Sequence, residues 1–166
     1  MAEPITVLTA VTAVATVLKI VDSLTGQWDR FWKKRSEQEP DRPHSVTTEQ
    51  PQPDTIVVKR YGTPVETITA ADLAKLDVNS HKLIEALEKS MQRQYDLWTK
   101  VYPTRDVSPD PVVNAQVDQR LEDILGKMCA DLGRLFAYLD SIGKYLNDHY
   151  SHARYLCSEV EQKVKG

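Results

Sequence analysis

Residues 4–35, PITVLTAVTAVATVLKIVDSLTGQWDRFWKKR, decide how this chain folds. Val7, Ala10, Val14, Val17, Val21, Leu24, Trp28 and Phe31 recur by steps of three and four. That spacing gathers side chains onto one stripe of an α-helix. Pro4 suits a first helical position, where the missing N–H leaves no bond unmade. Lys33, Lys34 and Arg35 place positive charge at the carbonyl end, where it complements the helix dipole. Residues 1–35 are therefore expected to form one long amphipathic helix.

Beyond it the composition changes abruptly. Residues 36–54 hold Pro40, Pro43, Pro51 and Pro53 among polar residues, with Val46 the only strongly apolar side chain. Such a stretch buries too little surface to offset its ordering entropy and reads as a flexible linker. Residues 55–69 are strand-like: Ile56-Val57-Val58 and Val65 to Ile68 flank Tyr61-Gly62-Thr63-Pro64, which has turn chemistry. A β-hairpin there needs helices to lean on. Residues 70–166 then form the helical body. Thr69 and Asp72 suggest a capping box opening a short helix through Leu76. Ile84, Leu87, Met91, Tyr95, Trp98 and Tyr102 define a helix that Pro103 ends. Asp110 and Pro111 supply a cap and a first-turn proline for the last segment.

That segment is the most regular. Val117, Leu121, Ile124, Met128, Leu132, Leu135, Leu139, Ile142 and Leu146 alternate steps of four and three, and the register continues through Tyr150, Ala153, Cys157, Val160 and Val164. Unbroken, it would run about 80 Å at 1.5 Å per residue. The Ser80–Tyr102 helix would cover half of that, so either the first helix covers the remainder or the chain bends near Gly143 or Asn147-Asp148, and the bend is the expectation. The fold class is mainly α: a three- to four-helix bundle with long N- and C-terminal helices and a small β-hairpin.

Composition agrees. Six glycines and two phenylalanines, against abundant Leu, Ala, Lys and Glu, favour helices over a sandwich or barrel. The formal charge of −3 is spread along the chain, with no basic stripe of the kind that neutralises phosphates, so no nucleic-acid partner is expected. Cys129 and Cys157 fall on apolar helical positions and read as small buried hydrophobes in a reducing compartment, not as a redox pair. The placement expected is cytoplasmic, with possible peripheral contact with a membrane. Residues between Glu3 and Lys19 carry no charge, yet a secretory signal lacks its basic start here, and Thr6, Thr9, Thr12 and Thr16 interrupt a spanning helix.

Motifs for chemistry are sparse. His149 and His152 share a helix face, and a metal site would draw on Cys129 or Cys157. Cys157 lies five residues beyond His152 and is turned from that face, and Cys129 has no neighbouring ligand. The plainer reading puts one histidine in the bundle and the other in solvent. No glutamate precedes a histidine by three, which removes the di-iron pattern. Nucleophile elbows and Gly-rich phosphate loops are absent. Glu85, Glu88, Glu122 and Asp123 read as solvated helix faces, and Asp131, Asp140 and Asp148 lie off the apolar stripe. No catalytic residue, metal or cofactor is assigned, and the chain is not expected to be an enzyme.

Trp28, Phe31 and Trp32 beside Lys33-Lys34-Arg35 are more informative. Rings next to cations suit an interfacial anchor, with rings at the headgroups and charges on anionic lipid. The same rings could pack a bundle end, the basic residues capping the helix. The site proposed from sequence is Val7, Val14, Val17, Val21, Leu24, Trp28, Phe31, Trp32, Lys33, Lys34 and Arg35.

The opening Met1-Ala2-Glu3-Pro4-Ile5, running into a helix rich in Ala, Val and Thr, resembles the start of HeLo-type domains and the related mixed-lineage kinase-like four-helix bundles of cell-death proteins. The resemblance implies a first helix that reaches a membrane once the bundle opens. Here that helix maps onto Ile5 to Leu24, with Trp28 and Trp32 at the boundary, and the implied setting is cell death or defence. Residues 55–166 resemble no such family.

The function expected is thus a non-enzymatic helical effector or interaction module whose N-terminal helix engages a membrane surface or a protein partner. Two alternatives stand beside it. One is a soluble scaffold or adaptor whose stripes self-associate into a homo-oligomer or grip a partner helix. The other is a cryptic metal protein using His149 and His152.

Overall fold

The computed structural model describes residues 4–33 and 46–165 and is mainly α. Its first helix, α1 (Pro4–Lys33), is the spine. Many of its residues are β-branched Val, Ile and Thr, which are weak helix formers, so burial and not propensity sustains it. Val7, Ala10, Val11, Ala13, Val14, Ala15, Val17, Leu18, Ile20, Val21, Leu24, Trp28 and Phe31 are all buried. Solvent reaches a narrow strip along Leu8, Thr12, Lys19, Ser23 and Arg30, with Thr9 beside it. Thr16 and Ser23 turn their hydroxyls onto the carbonyls of Thr12 and Lys19, at 2.9 and 3.0 Å.

Three strands follow: β1 (Val46–Gln52), β2 (Thr55–Arg60) and β3 (Thr63–Thr69). They form an antiparallel sheet in chain order, with Thr48 opposite Val58 and Ile56 opposite Ile68. Val46, Thr48, Ile56, Val58 and Ile68 point inward. Tyr61 and Gly62 both have positive φ, 53° and 79°, as a tight hairpin turn demands. Pro64 sits opposite Lys59 beside a register shift, and β3 is an edge strand, where a missing N–H is tolerated. The sheet corrects the sequence reading in one respect. β1 lies inside the stretch assigned to a linker, because Val46 and Thr48 face the core while Thr47 and Glu49 face out. Period-two burial needs only one apolar side chain per pair when the neighbouring strand and α1 supply the rest. The remainder of that linker, residues 36–45, lies outside the described residues.

Thr69 and Asp72 close a reciprocal capping box on the one-turn α2 (Ala70–Leu73). Asp77 caps α3 (Val78–Val101) through the Ser80 N–H, and buried His81 reaches the Leu73 carbonyl at 2.7 Å. α3 lies along α1 and buries Ile84, Leu87, Met91, Trp98 and Val101. After a short turn, Asp110 and Pro111 open α4 (Pro111–Ser141). α4 buries Leu125, Cys129 and Phe136 as well as the expected stripe, since it packs against both α3 and α5 (Ser151–Lys165).

The chain breaks between α4 and α5, where Gly143 adopts φ 82°. The Lys144 N–H returns to the Leu139 carbonyl at 2.9 Å and the Gly143 N–H to Asp140 at 3.1 Å, the paired bonds of a Schellman termination. α5 then folds back on α4. Leu146, Tyr150, Ala153, Leu156, Cys157 and Val160 are buried along this return.

Candidate functional site

The structure turns the residues nominated from sequence inward. Val7, Val14, Val17, Val21, Leu24, Trp28 and Phe31 are core, and Trp32 is half-buried against them. Lys33 ends α1, and Lys34 and Arg35 lie outside the described residues. The apolar stripe on α1 is therefore occupied by α3, the sheet and α5 and is not presented to solvent. α1 is the central helix of the fold, not a peripheral rod. Over Thr6–Trp32 it is nevertheless long and apolar enough to cross a membrane, although most of its most apolar window is buried. The interrupting threonines do not prevent this, because their hydroxyls can bond back to the helix's own carbonyls.

A polar knot holds α1 in place. The Tyr150 hydroxyl donates to Asp22 Oδ1 at 3.0 Å and lies 2.7 Å from Thr48 Oγ1, joining α1, β1 and the start of α5. Burial pushes the Asp22 carboxyl up to about 6, with hydrogen bonds from Thr48 and Tyr150 pulling the other way. Burial, and then the neighbouring Asp22 charge, raises Tyr150 well above the usual phenol range. Sequence periodicity places Tyr150 in the core but cannot show its partners, which lie 128 and 102 residues away.

Nearer the C-terminal end of α1, Trp98 donates its indole N–H to Gln27 at 2.8 Å. Phe31 meets Trp98 edge-on at 5.7 Å, Tyr102 stacks on Trp98 at 5.4 Å, and Arg105 covers Tyr102 at 3.7 Å. The rings read as a possible membrane anchor thus include Phe31 as one rung of a packed ladder. Asp131, expected on a solvated face, is instead buried and accepts the Ser90 hydroxyl at 2.6 Å, bridging α4 to α3.

Cys129 and Cys157 are joined in a disulfide, with Cα atoms 5.4 Å apart, stitching α5 to α4. This corrects their reading as separate buried thiols. The reversal at Gly143 brings together two cysteines 28 residues apart, which a continuous helix would have kept far from each other. The cysteines consequently give no ground for a reducing compartment. His149 is half-buried, and exposed His152 faces Asp29 at 3.7 Å. Among the described residues no three His, Cys, Asp or Glu side chains gather as a metal-ligand set.

An open apolar surface among the described residues lies where α3 ends and α4 begins. A groove of 460 Å³ is lined by Leu97, Lys100, Val101, Thr104, Val113, Gln116, Val117 and Arg120. Val107 and Val112, on the connecting turn and the first turn of α4, are exposed at 71% and 62%. Sequence reasoning missed this surface because Val117 lies on the stripe that builds the core, and spacing along one helix does not show where that stripe is left open.

No protein-family model, no curated protein and no solved structure matches this chain.

Proposed function

We propose that this chain is a non-enzymatic helical interaction module, working as a soluble scaffold or adaptor. α1, α3 and α4 are read as the long members of a bundle, with α5 as a shorter fourth. One observation carries the reading: the stripe of Val7, Val14, Val17, Val21, Leu24, Trp28 and Phe31 is satisfied within the chain. A helix whose apolar face is already covered gains nothing further from lipid or partner. Engagement then falls to apolar surface left open elsewhere.

A second reading is favoured by the length and apolarity of Thr6–Trp32. In it α1 leaves the body and enters a membrane, as the resemblance to HeLo-type domains implies, and the Asp22–Tyr150–Thr48 knot is what must open. The whole chain, mixed with phosphatidylserine-rich vesicles and followed by co-sedimentation and amide exchange, separates the two. The adaptor reading expects the protein in the supernatant, with α1 amides exchanging only on global unfolding. Pelleting with vesicles together with loss of α1 protection would overturn it in favour of the membrane.

A further inference from the structure

We infer that the groove at the α3–α4 end is a docking site for an amphipathic helix whose apolar ridge is flanked by acidic side chains. This rests on the interaction-module reading and names its working surface. Leu97 on α3 faces Val113 and Val117, one turn apart on α4, over a floor that includes buried Val101. The 460 Å³ hollow is shallow and open to solvent.

The charges select the occupant. Lys100 on one wall and Arg120 on the other both line the groove, and both are exposed. Among the described residues neither has a carboxylate partner. One turn from Lys100, Asp96 accepts from Gln92 at 3.5 Å, and one turn from Arg120, Asp123 accepts from Gln119 at 3.1 Å. Two unpaired cations flanking an apolar floor complement carboxylates on either side of a partner's apolar stripe. A cationic partner would meet repulsion from both walls.

The test pans a display library of random amphipathic helical peptides against the whole chain, then measures the selected peptides on Lys100→Glu/Arg120→Glu and on Val113→Asp. These side chains are exposed, and circular dichroism confirms that each variant folds; Lys100→Gln/Arg120→Gln stands in if the reversal does not. Expected are peptides with Asp or Glu beside an i, i+3, i+4 apolar stripe, weakened at least about tenfold by either variant. Selected peptides that bind the variants equally well would overturn the groove while leaving the module reading standing. An empty selection would overturn both. Pelleting with anionic vesicles that Lys100→Glu/Arg120→Glu abolishes would assign the cations to lipid. Self-association that Val113→Asp abolishes would assign the groove to a second copy. Either result would overturn the helix-docking proposal.

Discussion

Asp22→Asn should stabilise the protein at neutral pH even though it alters a hydrogen-bonded residue. Burial moves the Asp22 carboxyl from 3.8 to about 6. Between those values the folded state holds a proton that the unfolded chain has released. Stability contributed by this residue therefore falls as pH rises through the window. Roughly two units at 1.36 kcal/mol each set the full cost of the charged form at about 3 kcal/mol, present above about pH 6 and gone below about pH 4. Asn keeps an oxygen for the Tyr150 hydroxyl and no charge is desolvated, while the Thr48 N–H and hydroxyl, which both bond the carboxylate, lose an acceptor and limit the gain. Urea unfolding of both proteins from about pH 4 to about pH 8 isolates the effect, because every other titrating group cancels in the difference. The two stabilities should coincide at the acid end and separate in favour of Asn by about 1–3 kcal/mol at the alkaline end. A difference that does not change with pH, or an Asn variant less stable at about pH 8, would refute the argument that burial burdens this carboxylate. Tyr150→Phe acts in the opposite sense. It takes one of the donors from Asp22 and a partner from Thr48, should cost about 1–3 kcal/mol, and should push the Asp22 titration higher.

Other consequences are equally direct. Val17→Asp buries an unpaired charge at the centre of α1 and should cost at least about 4 kcal/mol, abolishing the single cooperative transition; a body that still melts near its original temperature would show α1 to be separable. Reduction, or Cys129→Ser/Cys157→Ser, opens a loop of 28 residues and should lower stability by about 3–4 kcal/mol on chain entropy, seen as a lower urea midpoint with added dithiothreitol. Thiol titration of the native protein under non-reducing conditions should find none. Gly143→Ala forces a side chain into φ 82° with open space around it, so only backbone strain acts, costing about 1–2 kcal/mol in thermal melts. Gly26→Ala and Gly133→Ala sit in helices with no atom near the added methyl and should instead stabilise by about 0.5–1 kcal/mol each.

Periodicity by itself determines where this chain is helical and one stripe of what lies inside, while Leu18, Leu125, Phe136 and Asp131 are buried off those stripes by the second neighbour each helix gains. Steps of three and four mark Val7 to Phe31, Ile84 to Trp98 and Leu121 to Leu139, because a helix has one pitch and water excludes one face of it. Caps are equally local. Thr69 with Asp72, Asp110 with Pro111 and Gly143 each act within a few residues, so composition announces them. What occupies each face is not local. The α1 stripe reads the same whether lipid, a second chain or α3 covers it, and only the tertiary fold wraps it with α3, the sheet and α5. The strand at Val46–Gln52 forms because β2 offers a hydrogen-bonding edge to a segment that could not hold a strand alone. Tyr150 meets Asp22, and Cys129 meets Cys157, only after the chain has reversed at Gly143. The α3–α4 groove likewise needs residues of two helices brought side by side. Spacing along one helix repeats every few residues, whereas contacts between helices depend on the whole path of the chain between them.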